Sequence, residues 1–351
     1  MVRPLWRHAL YSAVFACAAI ASLPTQAAVK VSSHRVNDST AGDAAYQALV
    51  DAAQAVVSVK VKAIPNARSN ETLGAERVGS GMVIRADGLV LTIGYLILEA
   101  DSVQVTDALG TTVPATVISY DHATGFGLVK AMGKLAPKPI RLGDSSPIGQ
   151  LDRLMIVTSG EEQTISIATV VSKRPFAGYW EYLINDAIFT APPRLDHSGA
   201  ALINQKGELV GVGSLFVMDA LVPGEKLPGN MFVPVNLLKP VLDELVRTGR
   251  QNGSRRPWLG VNSLEEDGRV KVMQVNEESP ADKAGIVAGD IILRVNGEAV
   301  ESLEKFYGHL WNHGAQPGSP VRLTVLHGPE MKEVTVQSID RAEFMRRKSG
   351  I

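Results

Sequence analysis

The chain has 351 residues, with 35 Lys+Arg against 36 Asp+Glu and a formal net charge of −1. Near neutrality removes the electrostatic case for nucleic acid or an anionic membrane as the main partner, and an aromatic content of only 5% argues against a base-stacking surface. The length suits about two domains, and the single cysteine, Cys17, excludes an intrachain disulfide, a zinc cluster or a paired-thiol redox site.

Arg3 and Arg7, the uncharged run Ala9–Leu23 and the small residues that follow have the order of a secretory signal. The apolar run is shorter than the roughly 20 residues of a bilayer span. Residues 1–27 are therefore read as a cleaved export signal rather than a retained anchor, and Cys17 leaves with it. Residues 28–54 read as an N-terminal lead and helix. From 55 to 248, short β-branched runs such as Val56–Val61, Leu89–Thr92, Gly127–Lys130 and Leu209–Val212 alternate with Gly, Pro, Asn and Asp. Many short strands at this spacing predict an all-β barrel or sandwich region. Val235–Thr248 has helical apolar spacing and ends at Gly249, and the polar stretch 249–256 reads as a linker.

A second unit spans 257–339. Ser279-Pro280-Ala281-Asp282 is a capped helix start, Asn296-Gly297 a tight-turn signal and Leu303–Asn312 a helix. The strands Val321–Leu326 and Glu333–Gln337 close the unit. The basic tail 340–351 is expected to fray. His309 and His313 stand four apart, a spacing metal sites use, but no third ligand accompanies them, so no metal or cofactor is expected.

Gly79-Ser80-Gly81-Met82-Val83-Ile84 with Asp87-Gly88-Leu89-Val90-Leu91-Thr92, Leu142-Gly143-Asp144-Ser145-Ser146, Ser198-Gly199 and the run Phe232–Leu242 together resemble the HtrA/DegP-type secreted serine proteases. Trp258-Leu259-Gly260-Val261 and Ser279–Gly285 resemble that family's PDZ domain. The likeness covers roughly residues 75–340. It implies a mainly β fold: a chymotrypsin-like double β-barrel followed by one PDZ domain, β with two short helices. It also implies a periplasmic location and a possible homotrimer.

The same alignment removes most of the chemistry. A serine triad needs a hydroxyl nucleophile, an imidazole base and a carboxylate that holds the imidazole. The family's Leu-Thr-x-x-His falls on Leu91–Tyr95, which puts Tyr95 at the base position. Its Asp-x-x-Thr-Asp falls on Asp121–Gly125, which puts Gly125 at the carboxylate position. Only the nucleophile position, Ser198, is kept. In the oxyanion region Asp196 replaces a glycine and His197 precedes the serine. A phenol is about a thousandth ionised at neutral pH and accepts protons poorly. In the PDZ region, Trp258, Leu259, Gly260 and Val261 fall where the resemblance places the loop that takes a peptide carboxylate. Tyr307, Leu310 and Trp311 lie on or beside the facing helix. These residues lead to an expected pseudoprotease, a scaffold or chaperone-like factor binding unfolded or C-terminal segments of envelope proteins. A serine endopeptidase using Ser198 with a non-standard base is the alternative.

Overall fold

A computed structural model describes residues 36–160, 162–250, 255–311 and 315–346. The chain divides into two units, Met1–Ala41 and Gly42–Ile351. The export-signal reading, Cys17 and His313 fall outside the described residues. Helix α1 (Val36–Gln54) ends against the first strand, with Ala52 and Ala53 buried. Among the described residues no helix is long and apolar enough to cross a membrane.

The first barrel uses β1 (Val56–Ala63), β2 (Glu76–Val83), β3 (Leu89–Ile93), β4 (Ala100–Thr106), β5 (Thr112–Tyr120) and β6 (Phe126–Ala131). It closes in the order β1-β2-β3-β6-β5-β4. Two one-turn helices interrupt it, α2 (Asn70–Leu73) and α3 (Gly94–Ile97). The second sheet contains β7 (Arg141–Leu142), β8 (Arg153–Ser159), β9 (Gln163–Gly178), β10 (Tyr182–Ala191), β11 (Ala201–Ile203), β12 (Glu208–Val217) and β13 (Gly229–Pro234). Its order is β11-β8-β9-β10-β13-β12-β7, and a β11–β12 pairing closes it as well. One apolar cluster runs through both barrels, including Phe126, Leu128, Phe189 and Met231. Closure leaves few unpaired strand edges and fixes the loops between the barrels, where the candidate site lies.

The helix expected over Val235–Thr248 is divided into a 3₁₀ turn, Val235–Leu237, and α4 (Leu242–Thr248). Pro240 explains the break, because it has no N–H to donate and its ring clashes with the preceding turn. Gly249, at φ 73°, caps α4 by donating to the Leu245 carbonyl.

The last region contains β14 (Pro257–Trp258), β15 (Val261–Glu266), β16 (Arg269–Val275), α5 (Pro280–Lys283), β17 (Ile291–Val295), β18 (Glu298–Ala299), α6 (Leu303–Trp311), β19 (Pro320–His327), β20 (Glu330–Gln337), β21 (Ile339–Asp340) and α7 (Arg341–Phe344). Its main sheet runs β15-β16-β17-β19-β20, which puts β15 on an edge. The Ser279 side chain caps α5 by accepting from the Asp282 N–H. Asn296 and Gly297 both have positive φ and turn β17 into β18. The core combines Leu259, Phe306, Tyr307, Leu310 and Val325.

The tail does not fray from residue 340 as expected. Asp340 caps α7, Phe344 packs on Trp258 at 4.6 Å, and Arg68 lies over the Phe344 ring at 4.1 Å. The Arg346 N–H donates to Glu99 Oε1 at 2.7 Å. The basic composition of the tail concealed one aromatic anchor. The end of the linker is also held: Arg256 is half-buried, with its guanidinium 4.4 Å from the Trp311 ring.

Candidate active site

Ser198 lies in the connection between β10 and β11, and Tyr95 lies in α3 of the first barrel. The Tyr95 hydroxyl is 2.8 Å from Ser198 Oγ and 2.8 Å from the Ser214 carbonyl oxygen. The phenol is the donor in both contacts, so its single proton is shared between the Ser198 Oγ and the Ser214 carbonyl, and the phenol oxygen is not placed to accept from Ser198. To act as base, that oxygen would have to take a second proton while keeping the first. Burial, partly offset by the Ser198 hydrogen bond, holds the Tyr95 pKa above the ordinary phenol value, so the phenolate route is also closed.

Behind Tyr95 the carboxylate position is filled by another phenol. Gly125 has φ 82°, and a Cβ there would stand 2.8 Å from Tyr182 Oη. Tyr182 is buried, and its hydroxyl donates to the Thr124 carbonyl at 2.6 Å. The Gly94 N–H donates to the Gly125 carbonyl at 2.7 Å, locking the two turns together.

The turn that carries Ser198 is pinned to the first barrel. The Ser80 N–H donates to the Ser198 carbonyl at 2.8 Å, and Thr92 Oγ1 donates to the Ser80 carbonyl at 2.7 Å. Gly199 (φ 72°) passes so close that a Cβ would sit 2.0 Å from the Ser80 oxygen. Asp196 does not stand free in the oxyanion region. Its carboxylate pairs with Arg194 at 2.6 Å and accepts from Thr158 Oγ1 at 2.6 Å. Burial would raise its pKa, but these partners override it and hold the group at about 2. The anion is therefore neutralised by Arg194.

Neither nearby histidine is hydrogen-bonded to Ser198. His197 Nδ1 meets the Arg194 carbonyl at 3.2 Å, and burial lowers its pKa. His122 packs against Tyr120 in a tilted contact at 4.1 Å and lines a cavity of about 340 Å³ with Arg256, Trp311 and Arg341. That cavity adjoins the 470 Å³ cleft lined by Tyr95, Ser198, Trp180 and Phe344, with Tyr120, Trp258 and Arg341 lining both.

Burial, with the Arg341 charge second, pushes the His122 pKa down to about 3 from 6.5. A histidine held neutral in the fold gives stability that is complete above pH 6.5 and lost as pH falls toward 3. The loss is about 1.4 kcal/mol per pH unit. Urea midpoints of the chain and of His122→Gln at pH 7, 5 and 4 should show a flatter acid limb in the variant. Parallel limbs would refute this.

In the PDZ region the backbone N–H groups of Leu259, Gly260 and Val261 converge on one carboxylate, that of Glu181. The Trp258 ring packs on Phe344, and Leu310 is fully buried in the PDZ core. Tyr307 is the α6 residue that reaches across: its hydroxyl donates to the Gly178 carbonyl at 2.7 Å. Glu181, Tyr182 and Ser214 are the site residues that the sequence reading passed over. Three aromatics within Tyr179–Tyr182, in a chain with few of them, were the available signal.

Family models match in two places, a trypsin-like peptidase domain over residues 79–212 and a PDZ domain over 257–337. This is an HtrA/DegP-like chain, a trypsin-like domain followed by one PDZ domain. The HtrA/DegP-like chain is 28% identical over 289 residues to a probable periplasmic serine endoprotease DegP-like of Ectopseudomonas mendocina, covering 78% of this chain and 58% of the relative. It is 27% identical over 300 residues to the serine endoprotease DegS of Haemophilus influenzae, covering 81% and 84%. It thus spans about three-fifths of the DegP-like relative. In fold it is similar to the HtrA-type protease AlgW solved with a decapeptide, at TM-score 0.53 and 21% identity, covering 87% of this chain and 99% of that one. The mainly β, double-barrel-plus-PDZ architecture of the HtrA/DegP-like chain is therefore established from both sides.

Proposed function

We propose that this is an exported, periplasmic HtrA-like pseudoprotease, a scaffold or chaperone-like factor that holds peptide segments through its PDZ and barrel grooves. The observation that carries the reading is the hydrogen bonding of Tyr95. Its hydroxyl donates toward Ser198 and Ser214 instead of accepting from the serine, and its oxygen is too weak a base to activate Ser198. Gly125, with Tyr182 in the adjoining space, leaves no carboxylate to assist. In subtilisin, loss of the histidine alone costs about 10⁶ in kcat.

The relatives' names favour the alternative, a serine endopeptidase, more than the scaffold. That reading requires a base other than Tyr95, His122 or His197 as they stand. Incubating the purified chain and Ser198→Ala with unfolded, fluorescein-labelled casein separates the two. Equal signals at the level of buffer alone are expected. Cleavage that disappears in Ser198→Ala overturns the scaffold reading and establishes the peptidase.

A further inference from the structure

The tip of the β9–β10 hairpin, Gly178-Tyr179-Trp180-Glu181-Tyr182, lies in the groove between β15 and α6. Glu181 Oε1 accepts from the Gly260 N–H at 2.7 Å and the Val261 N–H at 3.0 Å, while Oε2 accepts from the Leu259 N–H at 3.0 Å. Three successive backbone N–H groups aimed at one carboxylate form a receptor for a chain terminus. Two residues earlier, the Tyr179 carbonyl accepts from the Ser263 N–H of β15 at 2.9 Å. That strand is the free edge of its sheet, so the hairpin tip supplies the pairing an added strand would make.

The opposite wall closes on the same segment. Tyr307 Oη donates to the Gly178 carbonyl at 2.7 Å and accepts from the Glu181 N–H at 3.2 Å. Ala177 and Leu183, which flank the tip, pack against the PDZ core. Arg341 reaches the tip from α7, donating to the Trp180 carbonyl at 3.1 Å.

The backbone of Glu181 has φ 58°, the left-handed position that closes the three-residue loop between β9 and β10. That turn buries the Glu181 carboxylate to 5% exposure. A hairpin tip by itself would leave its glutamate solvated; a buried carboxylate held by three backbone N–H groups follows if the side chain imitates a terminus.

We infer that the PDZ groove is occupied by an internal ligand. Glu181 takes the place of a peptide's terminal carboxylate, and an external C-terminus binds only by displacing the hairpin tip. The inference rests on the reading of this groove as a receptor for C-terminal peptides. Its consequence is specific: affinity measured on the intact chain is reduced by the fraction of molecules in which the groove stands open.

The test uses the full chain, Glu181→Gly and Glu181→Gln. The glycine variant removes the carboxylate and also relieves the positive φ, so its fold is not penalised by the backbone. The probe is a pool of fluorescein-labelled decapeptides, randomised in the last four residues, with a free α-carboxylate or a terminal amide. Glu181→Gly should bind the free-carboxylate pool at least tenfold more tightly than the unaltered chain does, with Glu181→Gln between them. Hydrogen exchange at residues 259–263 should accelerate in the glycine variant and slow again with peptide. Unchanged exchange and equal affinity in Glu181→Gly overturn the internal ligand. Faster exchange without any preference for the carboxylate pool leaves Glu181 as the occupant and removes instead the reading of the groove as a terminus receptor.

Discussion

Gly199→Ala is expected to destabilise the chain by about 3–4 kcal/mol, far more than loss of the adjacent Ser198 hydroxyl. Two costs combine. An alanine at φ 72° pays about 1–2 kcal/mol for the left-handed conformation. Its Cβ would also lie 2.0 Å from the Ser80 carbonyl oxygen and 2.9 Å from Thr92 Oγ1. The Ser80 oxygen is backbone in a closed barrel and accepts from Thr92 Oγ1, so it moves only if the inter-barrel contact moves with it. Overpacking of this kind costs roughly 1–3 kcal/mol. Ser198→Ala loses one hydroxyl contact, to Tyr95, worth about 1 kcal/mol. Urea unfolding at unchanged m-value would rank the two variants. A loss below about 1 kcal/mol in Gly199→Ala would show that the turn relaxes freely, and the pinning of the site to Ser80 would lose its support.

The barrels announced themselves because closed β architectures repeat short apolar strands between turn residues, and the strands over Val56–Ala63 and Leu89–Ile93 follow that pattern. Tyr95 and Ser198 were recognisable as a pair because the motifs around them fix their positions in the fold. The phenol's two hydrogen bonds, to Ser198 and to the Ser214 carbonyl, reach residues more than a hundred positions from Tyr95 and leave no local signature. Tyr182 filling the space beside Gly125 is long-range in the same way. Pro240 did carry a local signal, yet apolar spacing outweighed it and one continuous helix was expected where two pieces form. Glu181 was the least legible. A glutamate at a hairpin tip is by default a solvated charge, and only the meeting of β15, α6 and the second barrel makes it a buried ligand.

On the proposed pseudoprotease reading, building a serine triad into the site should require three substitutions, not two. Tyr95→His alone supplies an imidazole without the carboxylate that orients it, and in trypsin neutralising that carboxylate costs about 10⁴ in kcat. Adding Gly125→Asp meets an obstacle, because the new Cβ would lie 2.8 Å from Tyr182 Oη. Aspartate is among the residues that best tolerate positive φ, so the backbone at 82° is the smaller difficulty. Tyr182→Phe removes the offending oxygen, after which the nearest ring atoms stand at 3.4 Å, an acceptable contact. The triple variant is therefore expected to cleave labelled casein about 10³–10⁴ times faster than Tyr95→His, with the gain abolished by adding Ser198→Ala. The Tyr95→His/Gly125→Asp double variant should lose thermal stability and gain little activity. If Tyr95→His by itself matched the triple variant, position 125 would not limit the site. If the triple variant stayed at background, the block would lie elsewhere, with the Asp196–Arg194 pair beside the serine as the next position to change.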